Sequence, residues 1–303
     1  MLPDDPRVAA LPPAERAAVL GVAYDYVRFA YVTRRKTEEE TASPSRRILV
    51  ARSQVDVVGQ PGPPVPVPAV RPDEGHGTAR VALGGGVRDD RGYVELRVRP
   101  AFHDLLDPQG GYTAGAMIDF FDVAGRVYPD NGDVRLQELT LLDIVSVSPW
   151  DRFFHPISWT VGVGSTTRLL PRNTDDSDAP LVDRYVGRVT GGGGVAIDPW
   201  PQALAYTFAT AAFDAGEGLT PAYATGPGAA AGVYFGPASD RWRGHLYGEM
   251  TGYAVGDASV ASRVGGAARL TLTRHMALEA GASWDRDFDR NWLDASVYWN
   301  IYF

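Results

Sequence analysis

The chain has 303 residues, with 29 Lys and Arg against 37 Asp and Glu, 34 Gly, 14 Tyr, 7 Trp and no Cys. The missing Cys excludes disulfides, thiolate metal sites and cysteine nucleophiles, and a net charge of −8 argues against a nucleic-acid partner, which needs a basic face. No run reaches the roughly 18 to 20 apolar residues of a membrane helix, but membrane strands, whose signal lies in alternation, remain open.

Residues 1–58 read as a helical segment. A first helix is expected over 13–36: Pro12 and Pro13 stand at its start, Glu15 lies in its first turn, and Val19, Leu20, Ala23, Tyr26, Val27 and Ala30 recur at helical spacing. Arg34, Arg35 and Lys36 mark its end, and Ser43-Pro44 opens a shorter helix over 46–53. Residues 59–75 form a linker whose Pro61 to Pro68 run, with five prolines, is stiff and extended.

From 76 to 303 the chain changes character. Twelve candidate strands follow one another, near 76–88, 91–101, 114–128, 134–146, 156–168, 184–197, 202–213, 225–236, 241–253, 258–272, 275–286 and 291–303. They exceed the usual soluble strand of about five or six residues and match the roughly 9 to 11 of tilted membrane strands. Their even number also suits a bacterial barrel.

Parity gives the fold class. In the last strand Leu293, Ala295, Val297, Trp299, Ile301 and Phe303 share one face, while Asp294, Ser296, Tyr298, Asn300 and Tyr302 share the other. The three strands before it repeat the pattern, with Arg243, His245, Glu249, Arg263, Arg269 and Glu279 on the polar face. A soluble sandwich alternates too, with its faces reversed. Trp242, Trp284, Trp299 and Phe303 near strand ends, and a polar face that mixes acids with bases, favour an all-β, antiparallel transmembrane barrel of about twelve strands with a neutralised lumen. Asp119 and Asp122 differ in parity, so a bulge is expected near Phe120-Phe121.

The aromatic end of the last strand, Tyr298, Trp299, Ile301 and Phe303, resembles the signal read by the outer-membrane assembly machinery. With that end in the periplasm, the N-terminal helices are periplasmic as well. Residues 103–113, 147–155 and 197–201 become periplasmic connections, and 165–183 becomes an extracellular loop. The first two connections are long for periplasmic turns, and specialised function is expected there.

The candidate chemistry is sparse. His103 with Asp104 and Asp107 could form an acid/base pair, and His103 could meet His155 of the neighbouring connection; the favoured reading is that they tie a periplasmic plug together. His245 with Glu249 and Arg243 could suit a phospholipase-like site, but Ser262 faces lipid in this register and Ser283 has no His partner, which favours a lumen ion-pair network. Asp175 to Asp178 lacks calcium-loop spacing, and Gly191 to Gly194 precedes neither a helix nor a Lys, so it lets the sheet bend or a plug approach. No cofactor and no metal are expected.

Several runs carry a family resemblance: Gly75-His76-Gly77 with Arg80, Arg99-Pro100-Ala101-Phe102-His103-Asp104-Leu105-Leu106-Asp107-Pro108, Gly111-Tyr112 with Gly115, and Ser146-Val147-Ser148-Pro149-Trp150-Asp151-Arg152-Phe153-Phe154 with Ser158-Trp159. They resemble the C-terminal half of an uncharacterised Gram-negative envelope family whose N-terminal half is similar to a periplasmic lipoprotein N-acyltransferase. The resemblance covers about 12–303 and is specific over 75–160. It implies an outer-membrane barrel that anchors or serves such a catalytic domain. That papain-like domain lies outside this sequence, and Met1 to Asp5 shows neither the basic nor the apolar region of a signal peptide, so a truncated or split form is expected. The expected partners are outer-membrane lipids, the assembly machinery and a separate periplasmic catalytic domain. The alternatives are a lipid-modifying barrel enzyme and a small-solute channel; for this chain alone the reading leans away from an enzyme.

Overall fold

The computed structural model describes residues 3–57, 67, 69–171, 181–237, 241–287 and 290–303. The Pro61 to Pro68 run, Val67 apart, and the Asp175 to Asp178 segment lie outside the described residues. The chain divides into two compact units, Met1–Val67 and Pro68–Phe303.

The first unit holds α1 (Pro6–Ala9), α2 (Pro13–Val32) and α3 (Glu38–Ser53). The second of the expected helices begins at Glu38, well before Arg46, and the cap explains why. Thr37 Oγ1 accepts from the Glu40 amide at 3.3 Å, and the Glu40 carboxylate accepts from the Thr37 amide at 2.8 Å. This reciprocal box satisfies two end donors, and Glu38, Glu39 and Glu40 place negative charge at the positive end of the helix. Pro44 therefore sits inside α3 rather than at its start. Val8, Ala17, Leu20, Ile48 and Val55 close the core of this unit.

The second unit is a closed antiparallel barrel. Its long strands are β1 (Arg80–Arg88), β2 (Arg91–Arg99), β4 (Ala116–Tyr128), β5 (Asp133–Ser146), β6 (Ser158–Pro171), β7 (Leu181–Ile197), β8 (Ala203–Ala215), β9 (Tyr223–Phe235), β10 (Trp242–Tyr253), β12 (Ser259–Thr273), β13 (Met276–Asp287) and β14 (Arg290–Tyr302). Two short pieces, β3 (Ala101–His103) and β11 (Val255–Gly256), prolong β2 past Pro100 and β10 past Ala254. Neighbouring strands pair in chain order, and β14 returns to pair with β1, so twelve staves close the wall. The twelve expected strands all have counterparts. At the seam, the Ala79 and Phe303 amides and carbonyls bond reciprocally at 3.2 and 3.0 Å. A Cβ on Gly77 would lie 2.5 Å from the Phe303 carbonyl carbon, so only glycine allows this approach.

The faces fall as the alternation requires. Leu293, Val297, Trp299 and Ile301 are exposed on the outer wall, whereas Asn300 and Tyr302 are buried inward. Such an apolar outer wall around a charged interior is stable in lipid, because closure pairs the strand edges that hydrocarbon would leave unsatisfied. The expected irregularity occurs at Phe121, which has φ +56°. Register places it between Pro100, which lacks a donor, and Leu141. Phe120 and Phe121 both face outward, and the parity shift turns Asp119 as well as Asp122 into the barrel. In the Gly191 to Gly194 run, a Cβ on Gly192 or Gly194 would strike the β8 backbone at Ala209 or Thr207. Glycine at these two positions allows β7 its close approach to β8.

Candidate functional site

Residues 104–115, which join β3 to β4, fold into the barrel at the rim where β14 ends. The turn Asp104-Leu105-Leu106-Asp107 closes on itself: the Leu106 amide donates to Asp104 Oδ1 at 2.5 Å, the Asp104 amide to Asp107 Oδ2 at 2.9 Å, and the Asp107 amide to the Asp104 carbonyl at 3.0 Å. Asp side chains favour such local bonds, which fix the turn before it meets the wall.

Its two faces differ. The carboxylates meet one side of the barrel: Arg99 donates to Asp107 at 2.5 Å, Arg80 and Arg269 each reach Asp104 at 3.0 Å, Arg269 also bonds Asp107, and Tyr302 Oη donates to Asp107 at 2.8 Å. Arg99 further holds Asp119 at 2.9 Å, Arg80 holds Asp122 at 3.0 Å, and Arg269 holds Glu279 at 2.6 Å. Leu105 and Leu106 meet the other side, packing with Val147, Ala196, Phe208 and Tyr234, and Arg243 Nε donates to the Leu105 carbonyl at 3.1 Å. The turn thus crosses the lumen, clasped by ions on β1, β2 and β12 and by apolar contacts on β7, β8 and β9.

Below the clasp lies a chain of ring hydrogen bonds. The Gln109 amide nitrogen, which can only donate, lies 3.0 Å from His103 Nε2, 3.0 Å from the Asp107 carbonyl and 3.2 Å from the Leu105 carbonyl, so its two hydrogens are shared among three acceptors. His103 Nε2 then accepts, so its proton sits on Nδ1 and is donated to His76 Nε2 at 3.0 Å; His76 Nδ1 in turn donates to the Gly77 carbonyl at 2.5 Å. Tyr112 stacks on His103 with centroids 4.1 Å apart, and its hydroxyl donates to the His76 carbonyl. Burial pushes His103 down to about 4, against the pull of Asp107 and Asp104, and lowers His76 as well. Both rings are therefore neutral at neutral pH.

His76, His103 and Asp107 bring three ligating atoms within 4.8 Å of one another. The ring nitrogens are already accounted for, however, and both Asp107 oxygens carry donors, among them the Arg99 and Arg269 guanidiniums. A dication there would have to displace a ring proton and compete with two fixed cations.

Beyond the turn is a cavity of about 290 Å³ whose lining includes Arg97, Glu138, Arg263, Asp285 and Tyr298. Further layers of ion pairs follow. Arg126 bonds Glu95 at 2.5 Å and Asp294 at 2.7 Å. Farther along, Arg168 bridges Asp287 and Asp214 at 2.7 and 3.2 Å.

The sequence-derived candidates are distributed as follows. His103 meets His76 and, at 4.0 Å, Asp107. Asp104 faces arginines rather than His103, and His155 packs edge-on against Trp150 in an exposed loop. Of the lumen set, Arg269 pairs with Glu279 and Arg243 holds the turn, while Arg263 bonds Asp285. Glu249 lies opposite Arg263 in register. His245 bonds Tyr206 at 3.0 Å and stacks on Tyr234. Ser262 is opposite the outward Met250, and Ser283 donates to Asp285. Tyr298 points inward to Glu95, while Trp299, Ile301 and Phe303 are exposed. Sequence reasoning missed the roles of His76, Arg80, Arg99 and Tyr302. A signal was present in Asp104-Leu105-Leu106-Asp107, because two leucines between acids have no use in a solvated turn.

A closed twelve-strand wall, apolar outside, charged inside and crossed by one of its own connections, defines an outer-membrane β-barrel with a plugged lumen. The chain belongs to the family of the domain of unknown function DUF7840, which matches residues 69–302; a second domain of unknown function, DUF7842, matches residues 2–64. Similar solved structures include an outer membrane channel from Pseudomonas putida F1 (10% identity, 81% of this chain and 100% of that one, TM-score 0.44). The KdgM porin (7%, 74% and 99%, 0.40) and the NanC porin (11%, 74% and 98%, 0.40) are others. No curated protein matches the sequence.

Proposed function

We propose that this protein is an occluded outer-membrane anchor. The barrel holds the N-terminal helical unit on the periplasmic side, where it anchors or serves an acyltransferase-like domain and gives that domain access to lipid. The outward Trp299 and Ile301 of β14, with Phe303 just after it, fit the aromatic pattern that assembly machinery reads. The observation that carries the reading is the Asp104–Asp107 turn across the lumen, since a general pore needs an open path and this one is filled by side chains from opposite walls. The catalytic partner rests on the resemblance of residues 75–160 alone.

Planar-bilayer recording tests the occlusion. The full chain is expected to give no porin-like steps, and Asp104→Ala/Asp107→Ala, which releases the clasp, is expected to give them. Sustained conductance of the unaltered chain would replace this reading with a solute channel. For the orientation, residues 3–57 should resist protease in intact cells and be cut once the outer membrane is permeabilised; cleavage in intact cells would reverse it.

A further inference from the structure

The connection between β5 and β6 does something other than close a turn. It is fixed at its root: Val147 is buried with the plug leucines, and the Ser148 amide donates to Ser158 Oγ at 3.0 Å. The chain then passes the start of β6, so that Pro149 bridges to Ala196 of β7 and the Trp150 amide donates to the Ala196 carbonyl at 2.8 Å. Beyond this point the loop supplies its own polar partners. The Asp151 carboxylate accepts from the Phe153 and Phe154 amides, each at 2.6 Å, the Asp151 amide donates to the Phe154 carbonyl at 2.9 Å, and the Trp150 indole donates to the Pro156 carbonyl at 2.8 Å.

A loop that pairs the Trp150, Asp151, Phe153 and Phe154 amides and the Trp150 indole while exposing apolar rings suits the membrane interface, where water and headgroups still reach its remaining amides. Trp150 is 45% exposed, Phe153 59% and Ile157 74%. Near the root of the loop, Trp159 of β6 and Ile197 of β7 are exposed on the outer wall, Trp159 on the same parity as Ile157. Arg152, exposed beside Phe153, adds a cation of the kind that pairs with phosphate headgroups.

We propose that residues 149–157 form a bilayer foot, a rigid loop seated in the headgroup and upper acyl region of the phospholipid leaflet at the rim where β14 ends. It extends the lipid contact of the barrel past its strands and fixes the height and tilt of that rim. The proposal is independent of whether the lumen conducts.

The absence of native Cys makes the test direct. Phe153→Cys carries an environment-sensitive fluorophore, and Asn131→Cys, in the turn at the opposite rim, serves as the control. In phosphatidylcholine/phosphatidylglycerol vesicles the label at 153 is expected to be quenched several-fold more strongly by a shallow spin-labelled phospholipid than the label at 131, and to be shielded from aqueous iodide. Equal iodide quenching at both positions overturns the foot and returns the loop to water, where a protein partner would have to cover it. Trp150→Phe supplies a readout without a label: its emission, taken as the difference from the unaltered protein, should be lost in brominated phospholipid and recovered in plain lipid. No bromine-dependent difference would likewise overturn the proposal.

Discussion

Asp107→Ala is expected to be the most destabilising single substitution in the barrel. Asp107 is fully buried and accepts from Arg99, Arg269 and Tyr302, while its partners Arg99 and Arg269 are themselves almost wholly buried. Forming such a pair in place of apolar groups gains little, because desolvation of the charges offsets their attraction. Removing only the anion is different: Arg99 keeps Asp119 and Arg269 keeps Asp104 and Glu279, but both guanidiniums lose their most deeply buried partner and Tyr302 loses its acceptor, at a cost of about 3 kcal/mol. Glu279→Gln should cost less, about 1 to 2 kcal/mol, since Glu279 is partly open to the lumen and Arg269 keeps Asp104 and Asp107. The measurement is the temperature at which the folded, fast-migrating form is lost on a gel, read for both variants. Equal shifts would mean that the clasp does not hold the turn.

The same cluster shows what a sequence can disclose. Parity along β10, β12, β13 and β14 revealed the wall because each strand meets lipid on one side and charge on the other, a local rule with a period of two residues. The Phe120-Phe121 irregularity was legible for the same reason, since two aspartates of opposite parity cannot both face hydrocarbon. The clasp was not legible. Arg80, Arg99, Asp107 and Arg269 come from four separate segments, and only closure of β14 on β1 places them around one turn. The ring chain has a nearer origin: the β1–β2 register Arg80↔Arg99, continued outward past both strands, sets His76 opposite His103, but neither ring lies in a paired residue of that hairpin. The misplaced start of α3 has a different cause. Ser43-Pro44 looked like a helix opening, but Thr37 with Glu40 made the stronger cap upstream.

That ring chain makes stability depend on pH, and the sign follows from the direction of the shifts. His103 is held down to about 4 and His76 is lowered, with burial the leading cause in both; in the unfolded chain both return to about 6.5. Asp107 and Asp104 face the rings and favour protonation, while Arg99 opposes it. Between about pH 6.5 and 4 the unfolded chain therefore binds protons that the folded one refuses. The stabilisation is complete above about pH 6.5 and falls as pH drops toward 4, by on the order of 3 kcal/mol from His103 alone. Protonating His103 Nε2 would also set a donor against the Gln109 amide and loosen the turn at its root. Urea midpoints of the barrel in lipid, taken from about pH 7 to 4, should fall for the unaltered protein more steeply than for His76→Gln/His103→Gln, whose side chains do not titrate in this range. Parallel pH profiles for the two proteins would refute the account.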